Sequence, residues 1–263
     1  MDLSADHRAA EALLAFWAEA GVDVCLEDQP VDHTKRPDKP PPSKPALVKG
    51  PALPPDASAA AAQARELAAA ANDLQALEAA IAAFDGCALK AQGARRAVFA
   101  RGNLQGEVAV IGEAPGAEED AQGLPFVGRA GQLLDRMLQA AGLTDRAFIT
   151  NTVFWRPPGN SNPSHLDQLV CAPFLERALE IVKPRLVLLL GGAAAKSVLK
   201  REEGILSLRG RWFEWRSEGG NLALPALPTL HPAFLLRQPA AKKKAWSDLL
   251  TLAERLDRPE RPT

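Results

Sequence analysis

Residues 107–116 read Glu-Val-Ala-Val-Ile-Gly-Glu-Ala-Pro-Gly. The stretch Glu107–Ile111, apolar from Val108 onward, is too short for a helix and suits a buried strand. Gly112 ends the run, and Gly112 and Pro115 hold Glu113 on a stiff turn immediately behind it. Two more runs of the same kind follow, Ala147–Phe154 and Arg185–Leu190, with helical patterns between them over about Arg129–Ala141 and Ser164–Val182. Strands separated by helix-length segments pair in parallel through crossovers. The pattern predicts a three-layer α/β/α Rossmann-like domain with a central, mostly parallel sheet. A β-rich piece (Arg209–Trp215, Leu222–Leu230) and a helix from Lys242 to about Leu256 complete it.

Upstream, Ser58–Ala71 is alanine-rich and helical by propensity. A second helix is expected from Asn72 or Asp73, with Leu74, Leu77, Ile81 and Phe84 on one face. Residues 29–57 hold nine of the 22 prolines and read as an extended linker. Residues 5–20 form an amphipathic helical extension, with Ser4 as cap, Leu13, Leu14 and Trp17 on one face and Gly21 as stop. The expected division is therefore an N-terminal helix within 1–28, a linker over 29–57, the α/β domain over 58–258 and a tail over 259–263.

Composition excludes several classes. The chain has 263 residues, 47% of them hydrophobic, which is ordinary for a globular protein. No apolar run reaches the ~18–20 residues of a membrane span, and the acidic start resembles no secretory signal. Three widely spaced cysteines argue against a disulfide framework and for a reducing cytoplasm. Net charge is −1 overall; residues 1–100 carry 10 basic and 14 acidic side chains, which leaves 21 and 18 in the remainder, a net of +3. That bias permits DNA binding without requiring it.

Ligands of open parallel sheets gather at the carboxyl ends of the strands, and four segments place unusual residues there. Glu113 is the first. The acids after it, Glu118, Glu119 and Asp120, suit a helix start as well as a site. Gly123-Leu-Pro-Phe-Val-Gly-Arg-Ala-Gly131 has the glycine spacing of a phosphate loop, but Arg129-Ala130 stands where Lys and Ser/Thr are needed, so a triphosphate site is rejected. Phe126 there is either a stacking platform or a core plug. The carboxamide of Asn151, in Thr150-Asn-Thr152, can donate and accept at once, although a strand-end Asn is also a common turn former. Last comes Leu230-His-Pro-Ala-Phe-Leu-Leu-Arg237, with an imidazole at the sheet rim and an apolar, Arg-ended tip able to enter DNA.

Together, and in this order, the four segments resemble the family 4 uracil-DNA glycosylases over about Phe84 to Leu252. The resemblance implies excision of uracil from DNA to start base-excision repair. Glu113 becomes the catalytic carboxylate, His231 the partner of uracil O2, Phe126 the stacking face and Asn151 the reader of N3–H and O4. Gly112, Ala114 and Gly116 line the base, and Glu119 approaches its C5 edge. Pro232, Leu235, Leu236 and Arg237 contact DNA. The implied partner is uracil-containing DNA, and a monomer without a membrane is expected. Two alternatives stay open: a module that recognises uracil or damage without turnover, and a wider glycosylase that also removes deaminated purines.

The resemblance breaks at the family's iron–sulfur cluster. Phe84 stands at the first of a Cys-x-x-Cys pair and Trp155 at the third cysteine, so only Cys87 and Cys171 remain; Cys25 lies far upstream. The expectation is that no cluster is bound and that Phe84, Trp155, Cys87 and Cys171 form an apolar plug. His165 has no basic flank, and helix capping by Ser164 is favoured over a covalent role for the histidine.

Overall fold

The computed structural model describes residues 55–258. The expected helix over 5–20, most of the linker, Cys25 and the tail lie outside the described residues.

Pro55–Ala70 (α1) and Leu74–Ala83 (α2) open the described chain. Asp73 caps α2 by accepting the amide of Ala76 at 2.8 Å. After the short helix Ala88–Ala91 (α3) come Ala100–Gly102 (β1), Val108–Gly112 (β2), Ala117–Gln122 (α4) and Arg129–Ala140 (α5). Ala147–Asn151 (β3), His165–Val182 (α6), Leu186–Leu190 (β4) and Gly191–Leu199 (α7) follow. The series ends with Ile205–Leu208 (α8), Phe213–Arg216 (β5), Ala223–Thr229 (β6), Pro232–Arg237 (α9) and Lys242–Asp257 (α10).

The strands form one sheet of order β1-β3-β2-β4-β6-β5. β3, β2, β4 and β6 run parallel, and the edge strands β1 and β5 are antiparallel to their neighbours. Alternation along the strands builds two cores. Ala109, Ile111, Val187 and Leu189 face one side, against Ala64 and Ala68 of α1, Leu77 and Ile81 of α2 and Phe174 of α6. Val108, Val110, Leu186 and Leu188 face the other, against Leu134 and Leu138 of α5 and Leu249, Leu252 and Leu256 of α10. Three layers follow from two apolar faces that each need a cover. Arg177 of α6 fastens the end of α1 by donating twice to the carbonyl of Ala71, at 3.0 and 2.9 Å.

β2 lies between β3 and β4, so the chain leaves it in one direction and later returns on the other side. That reversal opens a crevice at the strands' carboxyl ends. β3 ends at Asn151 and not at Phe154. Beyond Asn151 the amides of Thr152 and Val153 turn to the carbonyls of Gly112 and Glu113, at 2.9 and 3.2 Å. The hydrogen-bond demand of the chain is met there, but against the turn after β2.

Candidate active site

The crevice contains a cavity of about 490 Å³ lined by Glu113, Gly116, Glu119, Phe126, Asn151 and His231, among others. The acid behind β2 and the imidazole behind β6 thus reach the same space. Ala114 also lines it, as do Asn160, Ser161 and Asn162 from the loop before α6.

Glu113 is fixed through its backbone. Its carbonyl accepts the Thr152 hydroxyl at 2.7 Å and the Val153 amide at 3.2 Å. Its side chain is left open: Oε1 is buried without a hydrogen-bond partner. Loss of water raises its pKa above the usual glutamate value. Asn151 pairs with Gly112 in the β2–β3 register and is almost fully buried, and its Oδ1 is likewise unpartnered. A Cβ at Gly112 would lie 2.3 Å from the Phe126 ring and 2.5 Å from Asn151 Oδ1. Only glycine lets phenyl and amide close on this floor.

His231 caps α9. Its Nδ1 accepts the amide of Ala233 at 3.1 Å, which puts the ring proton on Nε2. Burial, and after it the Arg237 charge, lower its pKa to about 4, with Glu119 acting weakly in the opposite direction. The imidazole is therefore a neutral N–H donor at physiological pH. Gly191, at φ +88°, lets the chain end of β4 pass behind it; a Cβ there would come within 2.9 Å of His231 Cβ.

Phe126 is largely buried in the core and also forms a wall of the cavity. Its ring stands 5.8 Å from the His231 ring, tilted by 33°. Its backbone is left-handed, at φ +55°, a conformation that costs a non-glycine residue about 1–3 kcal/mol.

The acids of α4 separate by role. Asp120 is buried and accepts the amide of Arg95 at 2.8 Å, and Glu118 is exposed. Glu119 accepts the amides of Gly116 and Gly128, at 3.1 and 2.9 Å, and so ties the turn after β2 to the Phe126 loop. The Arg-ended tip at 232–237 forms a helix, and the i, i+3 spacing turns Pro232 and Leu235 into the interior. A direct DNA contact by these two is corrected on that ground; Leu236 and Arg237 remain at the surface. His165 lies outside the cavity. Ser164 caps α6, accepting the Asp167 amide at 3.2 Å while its own amide donates to Asp167 at 2.9 Å.

Sequence reasoning missed Gly191, which left a trace only as a glycine behind a strand.

The family model of the uracil DNA glycosylase superfamily matches residues 99–250, more than half of the chain. The chain belongs to that superfamily. It is 38% identical over 182 residues to a type-4 uracil-DNA glycosylase of Pyrobaculum aerophilum, covering 67% of this chain and 91% of the relative. Similar proteins of the same name occur in Saccharolobus solfataricus, 37% identical with 62% and 77% covered, and in Thermotoga maritima, 38% identical with 53% and 71% covered. These matches place it in the type-4 branch.

Membership corrects the expectation that the protein has no iron–sulfur cofactor, which rested on Phe84 and Trp155 at two cysteine positions. The relatives are type-4 enzymes, and that name points to a cluster. Cys87 and Cys171 are adjacent and buried; a hydrogen bond from Cys171 lowers the Cys87 pKa, while burial raises that of Cys171. The described residues nevertheless do not fit a four-thiolate group. The rings of Phe84 and Trp155 lie 6.3 Å apart and that of Phe174 5.2 Å from Phe84, and all three share one buried apolar core with the two thiols.

Proposed function

We propose that this type-4 chain hydrolyses the N-glycosidic bond of uracil in DNA and so starts base-excision repair, with Glu113 and His231 as its catalytic groups. The observation that carries the assignment is a cavity wall with two buried, unpartnered oxygens, Glu113 Oε1 and Asn151 Oδ1. Buried polar atoms without partners are rare in native proteins, and the two residues that carry these line a space large enough for a pyrimidine.

Uracil must leave the duplex to enter, at a cost of about a few kcal/mol. Stacking on Phe126 returns roughly 1–3 kcal/mol of that. Asn151 Oδ1 accepts N3–H and its amide nitrogen donates to O4; cytosine, whose N3 and N4 reverse this pattern, is refused. As the bond from C1′ to N1 breaks, its electron pair leaves with the base and spreads to O2, where the neutral His231 Nε2–H donates. Positive charge grows on the sugar. The Glu113 carboxylate answers it, either by its field or by taking a proton from the water that attacks C1′. Hydrolysis yields an abasic sugar and free uracil. Leu236 and Arg237, exposed on α9 beside His231, are placed to brace the emptied stack.

A module that only recognises uracil would need Phe126 and Asn151 but no desolvated carboxylate, so Glu113 favours turnover. The buried free thiols support a reducing, cytoplasmic setting. The test is single-turnover excision from single-stranded, U:A and U:G DNA by wild type beside His231→Ala. Wild type should leave alkali-labile abasic sites, and the variant should be roughly 10²–10³ slower. Wild type that releases no uracil from any of the three contradicts the proposal.

A further inference from the structure

Phe126 has to hold a left-handed backbone, at φ +55°, while its ring meets Gly112 on the cavity floor. What restrains it comes from the sheet edge. Arg101 lies on β1, paired with Ile149 of β3. Its Nε donates to the Pro125 carbonyl at 2.6 Å and its Nη2 to the Phe126 carbonyl at 3.0 Å. The same Nη2 reaches the Asp135 carboxylate of α5 at 2.7 Å, which orients the guanidinium. The other side of the Phe126 carbonyl presses on the first turn of α5, where a Cβ at Gly131 would come within 1.7 Å of the oxygen. One planar cation therefore grips two successive carbonyls of the loop against a helix that must approach without a side chain.

We infer that Arg101 is a positioning residue for uracil excision: by gripping the carbonyls of Pro125 and Phe126 it fixes the ring on which the flipped base stacks. The inference rests on the proposed role of Phe126 and extends it to a residue about 20 positions upstream of that motif, on the opposite side of β3 from β2. Arg101 touches no substrate. Its effect passes through Phe126, which gives it a signature that loss of folding lacks.

The experiment is a mutant cycle of Arg101→Ala and Phe126→Ala in the full chain, read by single-turnover excision, with calorimetry of free uracil and thermal melting on each protein. Arg101→Ala should slow excision and weaken uracil binding about 10-fold to 100-fold, as expected for a displaced positioning surface. In the Phe126→Ala background it should cost less than about 2-fold, because the ring it positions is gone. Arg101→Lys keeps the charge opposite Asp135 but loses the planar fork, and should fall between. Equal rates for Arg101→Ala and wild type, or the same loss in both backgrounds, overturn the inference. Wild type that neither binds nor excises uracil contradicts the function itself. Wild type that does both, beside an Arg101→Ala that does both equally well, contradicts only the role of Arg101.

Discussion

Glu113, behind β2, and Asp248, inside α10, are both carboxylates whose pKa is raised first of all by loss of water. Their surroundings then differ. Asp248 accepts the Thr229 hydroxyl at 2.6 Å and Arg209 Nε at 3.1 Å, with a further contact from Arg209 Nη2. These partners pull its pKa back down and join α10 to the end of β6, two residues before His231. Glu113 Oε1 receives no such partner. The protein can satisfy a buried acid when the fold needs one, so an acid left unsatisfied marks the place where a ligand completes the structure.

The contrast can be broken by exchanging the losses. Glu113→Gln should slow excision by roughly 10²–10⁴ and leave the melting temperature unchanged or slightly higher, since a desolvated charge is removed. Asp248→Ala should do the reverse. It strands Arg209 and should cost about 3 kcal/mol of stability, roughly 6–12 °C in melting temperature for a domain of this size, with the rate per folded molecule nearly kept. If Asp248→Ala kills activity in a folded protein, or Glu113→Gln unfolds it, the division between scaffold and site is wrong.

A smaller effect sharpens it. Excision needs ionised Glu113, so its rate should fall as pH drops through a raised glutamate pKa, above the ordinary value of 4.5. His231, with a pKa near 4, stays neutral through that window. The profile should be flat from the end of the Glu113 limb through pH 8, and an inflection near 6.5 that vanishes in His231→Ala would contradict the neutral-donor role. His231 also carries a stability effect. Its pKa is depressed on folding, so the unfolded chain takes up a proton first. Stability should fall as pH drops from the unfolded value near 6.5 toward 4.

The elements that the sequence revealed were those defined by local pattern. Val108–Ile111 and Leu186–Leu190 are apolar without interruption because both faces of these inner strands are covered, and each was legible to within a residue. α5 and α10 followed from their period. α7 was not legible, because it begins with Gly191-Gly192 and glycine is a poor helix former. α9 is six residues long and begins with a proline, so its pattern was too short to show a helix. The site behaved in the same way. Glu113, Asn151, Phe126 and His231 follow strands or lie between glycines, and position alone raised them. Arg101 sits on a three-residue edge strand, and its partners lie 24 to 34 residues away, so only the assembled sheet brings them to it. The cofactor expectation failed because substituted positions show which ligands are gone and not what a family binds.

The most direct test is a crystal structure of the protein soaked with free uracil. Density for the base should appear stacked on Phe126, its N3–H on Asn151 Oδ1 and its O2 within hydrogen-bonding distance of His231 Nε2, with the Glu113 carboxylate facing the position of the scissile bond. Uracil bound elsewhere, or an empty cavity at saturating uracil, would contradict the account.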